Sequence, residues 1–528
     1  MSRGRTGRFG DILELGGAAF ARSKESRAGE IYVEWADTDA RAAAAYLRAA
    51  GCRHVSVFAE DRTEEESRAY LYYVFEHPED TRYLVLRAPV DPSKPEFPSM
   101  AAEVPALNWQ EREIQDWFGI EALDHPNPRR VALHDNWPDV YPLRKDFPID
   151  TVLPPFVGEQ HIYRPTLGEG VFQMPVGPVH AGIIEPGHFN FAVAGEPILY
   201  LQLRMFYTHK GTEKRFEQLP LHHAVFLAES VSGDSSFSHG SAFCQAVERI
   251  AGVEIPRSAS LMRTILLELE RLYNHVADIG AIATDVGFAI ANAHASRLRE
   301  SILGINEELT GSRLLRGVVC PGGIRRLADH NHFSRAFETL GQFEREFDGI
   351  VEMIESSDST RDRLERTGFL DPVKARDLGI VGVAGRASGQ DLDVRRDHPY
   401  AAYGSLSFHV PVYQQGDVLR RMSVRIDEVR QSLSLIRTAR SRLEFGEYRA
   451  AMPPLPTDEC ALGAVEGWRG EILYWVRADR NNRIARCKIK DPSLNNWPAI
   501  VEAVQGNIVP DFPVINKSFN LSYSGTDR

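Results

Sequence analysis

Residues 177–189, GPVHAGIIEPGHF, set His180, Glu185 and His188 between glycines and prolines. Glycines let a backbone approach another group closely, so such a loop can carry a carboxylate and an imidazole to a buried centre for proton transfer. On composition alone the same run also reads as an ordinary turn with surface histidines. Asp285, in ADIGAIATDVGF, follows a long apolar stretch. A carboxyl there has a raised pKa unless it is paired, or else serves as a helix cap or sits in a solvated turn. Arg386 in GRASGQDLDVRRDHPY and Arg469 in VEGWRGEILYW are flanked by small and apolar residues. Each suits an anion clamp or a structural ion pair. Lys210 and Lys214, in YTHKGTEKRFE, read most simply as a solvated face. The five cysteines (Cys52, Cys244, Cys320, Cys460 and Cys487) form no CxxC pair, so spacing predicts no zinc or iron–sulfur site. GxGxxG, GxxxxGK[ST] and GxSxG are absent, which leaves no nucleotide loop and no serine-hydrolase elbow.

These residues need elements to hold them. The chain has 528 residues, 43% hydrophobic and 25% charged, with net charge −12. That is ordinary globular composition with room for about three domains. The acidic balance excludes a nucleic-acid binder. No apolar run reaches the roughly 18 residues that span a bilayer, and the basic N-terminus lacks a signal-peptide core. Sparse cysteines suit a reducing compartment. EIYVEW, HVSVFA, YLYYVFE and YLVLRA predict strands over 30–35, 54–59, 70–76 and 83–88. DARAAAAYLRAA and WQEREIQDWF predict helices ended by Gly51 and Gly119. Residues 1–150 thus read as a small α/β domain, and proline-rich 151–170 as a linker. From 171 to 528 short strands open a second unit. Helical spacing then runs through Leu261, Ile265, Leu269, Leu272, Val276 and Ile279, and again over 293–308, 333–355 and 418–443. GEILYWVRAD and RIARCKIK return to strand. The fold class is α+β, a helical bundle framed by small sheets behind an N-terminal α/β domain.

Set together, the segments resemble two known proteins joined end to end. Glu111-Arg112-Glu113, Asp116-Trp117-Phe118-Gly119-Ile120, His125-Pro126, Arg129-Arg130 and Pro142–Pro148 resemble the 30 kDa subunit of respiratory complex I. GPVHAGIIEPGHF, HKGTEK, AVERIAGVEIPRSA, LLELERLYNH, RASGQDLDVRRDHPY and VEGWRGE are similar to the 49 kDa subunit and to the large subunit of energy-converting nickel-iron hydrogenases. The fused order resembles the formate hydrogenlyase and hydrogenase-4 branch, from about residue 30 to the end.

The hydrogenase resemblance implies two CxxC pairs holding nickel and iron, a centre that needs soft thiolates. At the implied positions stand Ser232 and Ser235, then Ser522 and Gly525, so no nickel-iron centre of the usual kind is expected. Serine hydroxyls are hard, poorly acidic substitutes. Cys244 reads as a buried structural residue. Hydrogenase relatives are trimmed after their last ligand motif, whereas this chain stops at Arg528, as unprocessed relatives do. The complex I resemblance implies a quinone pocket held by a histidine and a tyrosine. His180 matches, Ile184 replaces the second histidine of that loop, the tyrosine position falls near Gly233 or Asp234, and Asp285 matches the acidic partner. The resemblance places Glu185 at the proton-gate position and Arg469 beside the lost metal site. It implies a peripheral subunit on the cytoplasmic side of a membrane complex. Its expected partners are an iron–sulfur small subunit, a ferredoxin-like subunit, and antiporter-like and proton-channel membrane subunits. Electrons arrive from the partner's cluster, and protons through Glu185, His188 and Asp285. The cavity lined by His180, Ser232, Ser235 and Ser522, with Arg386 and Arg469 near it, takes quinone or another acceptor. The alternative is a non-catalytic scaffold. This chain is expected to hold no metal itself; NAD(P)H:quinone chemistry enters only at family level.

Overall fold

The N-terminal unit is built on a five-stranded sheet: β1 (Ser23–Glu25), β2 (Ile31–Glu34), β3 (Arg53–Arg62), β4 (Arg68–His77) and β5 (Asp80–Val90). The spatial order is β1-β2-β5-β4-β3, with β2 parallel to β5 and the other pairs antiparallel. The computed structural model describes residues 8–16, 23–25, 29–154, 163, 165–182, 184–217, 219–327, 330–444 and 446–528, with backbone alone at 23–25, 330 and 331. Of the 151–170 stretch read as a linker, 155–162 and 164 lie outside the described residues, as does Ile183 of the histidine-glutamate loop.

Between β2 and β3, helix α1 (Arg41–Ala49) turns Ala43, Ala44 and Leu47 into the core. Gly51 then takes φ +93, which a side chain would resist. Helix α2 (Asn108–Phe118) stops at Gly119, φ +69, as its sequence predicts. From α2, Gln110 satisfies the free edge of β3, its Oε1 accepting from Val57 N at 2.9 Å and Ser56 Oγ at 2.8 Å. Asp116 gathers the next loop: its Oδ2 accepts from the amides of Val131, Ala132 and Leu133 at 2.9, 2.8 and 3.2 Å. The DWFG wording is therefore explained by loop closure. Asp116→Ala strands three partly or fully buried amides, and costs about 2–3 kcal/mol. Amide hydrogen exchange should accelerate at Val131–Leu133 first; unchanged protection there would contradict this role.

The second unit opens with a three-stranded antiparallel sheet of β6 (Val171–Val176), β7 (His188–Ala194) and β8 (Ile198–Arg204). Helices α3 (Ser236–Ala251), α4 (Arg257–Asp285), α5 (Ala289–Thr310), α6 (His330–Glu355) and α7 (Val418–Ser441) form the bundle. A second antiparallel sheet follows, β9 (Cys460–Gly467), β10 (Gly470–Ala478) and β11 (Ile484–Lys490). The chain closes with α8 (Pro492–Ala503), α9 (Phe512–Phe519) and α10 (Tyr523–Asp527). Gly463 lets β9 lie directly on α3, since a Cβ there would stand 2.0 Å from the Ala242 carbonyl oxygen. Among the described residues no helix is long and apolar enough to cross a membrane.

The two units share one hydrophobic core, running from Phe9 to Tyr523. The N-terminal sheet packs on the β9–β11 sheet. Trp475 lies 5.2 Å from Phe58 and 4.8 Å from Tyr72 between ring centroids, and its Nε1 donates to Tyr32 Oη at 3.0 Å. Buried charges stitch the same interface: Arg477 with Glu60, Arg53 with Glu471 at 3.3 Å, Lys488 with Glu113 at 3.0 Å and His398 with Glu76 at 3.1 Å. Breaking one such pair leaves an uncompensated buried charge, so the interface is specific as well as apolar. Lys214 departs from the solvated-face reading. It is buried, donating to the Arg144 carbonyl at 2.8 Å and facing Glu217, because α2 and the loop behind it close over it.

Candidate active site

Four segments distant in sequence meet at one place: the 177–187 loop, the 231–235 loop before α3, the β9–β10 turn and the chain's last nine residues. Ser232 Oγ lies 2.8 Å from Ser522 Oγ, and donates to Asp234 Oδ1 at 2.9 Å. Asp234 is the centre of the cluster. Arg469 grips its carboxylate with two bonds, Nη1 to Oδ1 at 2.7 Å and Nη2 to Oδ2 at 2.6 Å. Arg469 also donates to Ser235 Oγ at 3.3 Å and to the Asn520 carbonyl at 2.5 Å. Such bidentate geometry is the strongest ordinary ion pair. Burial pushes the Asp234 carboxyl up, but the guanidinium overrides it, aided by the two serine hydroxyls, and holds it at about 2. The Arg469 side chain is 5% exposed and that of Asp234 43%. A buried cation therefore lies under a carboxylate that still faces solvent.

The surrounding fold fixes this loop from below. Asp234 O accepts from Asn274 Nδ2 at 2.8 Å and Trp468 Nε1 at 3.2 Å. Glu270, from α4, supplies the N-terminal cap that α3 lacks, accepting from the amides of Phe237 and Ser238 at 2.8 and 3.0 Å. Burial raises Glu270 to about 7 despite those bonds. At the back, Asp278 accepts from Asn520 Nδ2 at 2.6 Å and pairs with Arg425 at 2.9 Å. Asn520 turns the chain with φ +45 after α9, and Ser522 caps α10 through Gly525 N at 2.9 Å.

Glu185 joins the cluster: its Oε2 accepts from Ser524 N at 2.9 Å. Ser524 Oγ donates to Val231 O at 2.7 Å, and Lys210 Nζ reaches Ser524 Oγ at 2.5 Å and Ser230 O at 2.7 Å. Lys210, exposed along its stem, thus ties the loop to the C-terminal segment rather than only meeting water. His180 closes the 177–187 loop on the Gly187 carbonyl at 2.7 Å, after a cis Gly177–Pro178 bond. Gly187 is required here, because a Cβ would strike the Tyr523 ring at 2.6 Å.

Other expected site residues lie apart. His188 sits on β7, 2.6 Å from Tyr163 Oη. Asp285 is the exposed last residue of α4, its pKa raised by partial desolvation of the carboxyl and opposed by Lys517. Arg386 is fully buried and pairs there with Glu428 and Glu466. A cleft of about 730 Å³ lies elsewhere, between α2, β8 and α8; Tyr163 is on its wall but none of the converging residues is. Sequence reading missed Asp234, Glu270, Asp278 and Asn520 as site residues. The available signal for Asp234 was a lone carboxylate between Ser232 and Ser235.

The four positions that the resemblance assigns to metal thiolates do not fit a nickel-iron centre. Three carry hydroxyls already hydrogen-bonded within the protein. The fourth, Gly525, has no donor, and a Cβ there would sit 2.6 Å from the Asp491 carboxylate. Among the described residues no three His, Cys, Asp or Glu side chains gather into a metal-holding group.

The chain is similar to known proteins along most of its length. Residues 33–152 match the model for the 30 Kd subunit of respiratory-chain NADH dehydrogenase, and 285–458 with 450–528 match that for its 49 Kd subunit. Formate hydrogenlyase subunit 5 of Escherichia coli (strain K12) is 35% identical, covering 89% of this chain and 84% of its own. Hydrogenase-4 component G of the same organism is 34% identical over 89% and 82%. The fused C/D protein of NADH-quinone oxidoreductase from Phocaeicola vulgatus is 29% identical over 88% and 93%. Among solved structures, a chain of the membrane-bound sulfane sulfur reductase, an archaeal respiratory membrane complex, superposes with TM-score 0.65 at 25% identity. It covers 69% of this chain and 100% of that one.

Proposed function

We propose, from the premise that the chain belongs to the family of fused 30 kDa/49 kDa-type subunits that includes formate hydrogenlyase subunit 5, hydrogenase-4 component G and NADH-quinone oxidoreductase C/D, that it forms the acceptor pocket of a membrane-bound redox complex. The observation that carries this reading is the half-exposed Asp234 carboxylate clamped over buried Arg469, where serines rather than thiolates converge. A small polar floor with a fixed charge pair suits a quinone head group or a comparable small acceptor better than a metal. The chain works peripherally on the cytoplasmic face of the membrane. An iron–sulfur small subunit and a ferredoxin-like subunit deliver electrons, and antiporter-like and proton-channel subunits lie beneath. Glu185, linked through Ser524 to Lys210, delivers the proton that acceptor reduction consumes; His188 and Asp285 serve the approach to it.

The scaffold reading has one observation in its favour: Ser232, Ser522 and the Gly525 amide saturate one another, as in a sealed core. The assembled complex separates the two. We expect no nickel by metal analysis, reduction of a quinone, and a fall of at least about tenfold in that rate for Glu185→Gln, in line with loss of a proton-transfer group. Stoichiometric nickel with hydrogen evolution, or full turnover in Glu185→Gln, would overturn the pocket reading. No acceptor reduction at all leaves the scaffold.

A further inference from the structure

Behind the site, six side chains close a ring of alternating charge. Arg386 faces Glu428 at 2.7 Å, and Glu428 faces Arg271 at 3.2 Å. Arg271 faces Glu268 at 3.3 Å, and Glu268 faces Arg395 at 3.1 Å. Arg395 faces Asp393 at 2.7 Å, and Asp393 returns to Arg386 at 3.7 Å. All six are buried. Three guanidiniums balance three carboxylates, and Tyr403 and Ser432 hydroxyls, both at 2.5 Å, complete Glu268.

One carboxyl is left over. Glu466, on β9 and 2% exposed, accepts from Arg386 Nη1 at 2.8 Å and from Val394 N at 3.1 Å. Arg386 is already matched by Glu428 and Asp393, so Glu466 has no cation of its own. His275, attached to Glu428 at 2.7 Å, does not supply one: burial holds it down at about 4. An isolated carboxylate buried beside a neutral ring is costly, and the usual resolution is to keep a proton. The groups facing Glu466 agree. Asp393 approaches from the 391–397 segment and repels it; Arg271 attracts it, but donates to its backbone carbonyl and is paired with Glu428 and Glu268; and Tyr400 Oη accepts from its amide. A cavity of about 10 Å³ adjoins it, lined also by Arg53, Glu76, Asp397, His398 and Glu471. That is space of the order of one water molecule.

We infer that Glu466 is a buried proton-binding site, neutral at rest, which exchanges its proton with the interface between the two units through the cavity at His398 and Glu76. Only a proton moves: Glu466 releases it when the ring gains positive charge and takes it back when that charge leaves. The site does not depend on what the pocket near Asp234 reduces. It is nonetheless close to that pocket, because Arg425, one helical turn before Glu428, holds the Asp278 that braces Asn520.

Infrared titration of the assembled complex from about pH 5 to about pH 9 tests this. Burial, then repulsion from Asp393, lifts the Glu466 carboxyl to about 7 against the pull of Arg386. A raised acid pKa stabilises the fold fully at low pH, and that contribution is lost as pH rises through about 7. Burial lifts Glu30, Glu111, Glu229 and Glu270 to about 7 as well, so wild type should lose a composite protonated-carboxyl absorbance near neutrality, from which Glu466→Gln removes one carboxyl's share and Glu270→Gln a different one. Should Glu466→Gln not fold, Glu428→Gln serves: with one ring carboxylate gone, Glu466 becomes the missing counter-ion and its band titrates at lower pH. The native band should also shift on transfer to D₂O. A neutral-range band of full amplitude in Glu466→Gln, an unmoved band in Glu428→Gln, or no D₂O shift in native protein would each overturn the assignment.

Discussion

Arg386→Met should destabilise the protein by about 3–5 kcal/mol, the cost of removing one partner from a buried charge cluster. Arg386 is fully buried and serves Glu428, Glu466 and the Leu392 carbonyl together. Without it the ring holds two guanidiniums against three carboxylates. Lysine is no substitute, since a point charge cannot reach all three acceptors in one geometry. Thermal and urea unfolding of the purified chain measure the loss. Adding Glu428→Gln should recover part of it, because the ring then holds two guanidiniums against two carboxylates. A coupling of about 0.5–3 kcal/mol is the size expected for contacting groups. Strict additivity of the two substitutions would mean that Glu428 and Arg386 do not share a charge balance.

How far the sequence foretold this structure differs between backbone and charges. The helical spacing from Leu261 to Ile279 became α4, and the strand runs from Tyr70 and Tyr83 became β4 and β5. Local periodicity and glycine stops are enough for such elements. The resemblance also placed Ser232, Ser235 and Ser522 at one site, and the fold brings Ser232 to 2.8 Å from Ser522 across 290 residues. What stayed hidden was the pairing of buried charges. Asp234 and Arg469 are 235 residues apart, and neither local sequence names the other. Arg386 read equally as a clamp or an ion pair until Glu428 and Glu466 stood beside it. Lys214 read as a surface residue because the carbonyl that accepts from it, that of Arg144, lies 70 residues away in the N-terminal unit. Burial of an ionisable group is a property of the pair, so single-residue reading stops there.

Arg469→Gln should cut acceptor reduction in the assembled complex by about 100-fold, the scale of losing one pre-set electrostatic donor at a reacting group. The reasoning rests on what Arg469 holds. Its guanidinium fixes Asp234, Ser235 and the Asn520 carbonyl at once, so it sets both the charge and the shape of the cluster that the proposed acceptor would meet. Glutamine keeps one donor and loses the charge. Burial, now opposed only by the Ser232 and Ser235 hydroxyls, then lifts the Asp234 carboxyl from about 2. The sign follows from that lowered value. In wild type the pair's contribution is present above the ordinary carboxylate range and is lost as pH falls through about 2. In Arg469→Gln the loss on acidification sets in at higher pH, and the rate profile on the acid side moves with it. Arg469→Lys keeps the charge without the bidentate grip, and should recover only part of the rate. Assembly separates the two roles. A variant that assembles, carries its partner's clusters and fails to reduce the acceptor has lost a pocket. A variant that loses the iron–sulfur subunit has lost a dock, and one that assembles and turns over at the wild-type rate would remove Arg469 from the chemistry.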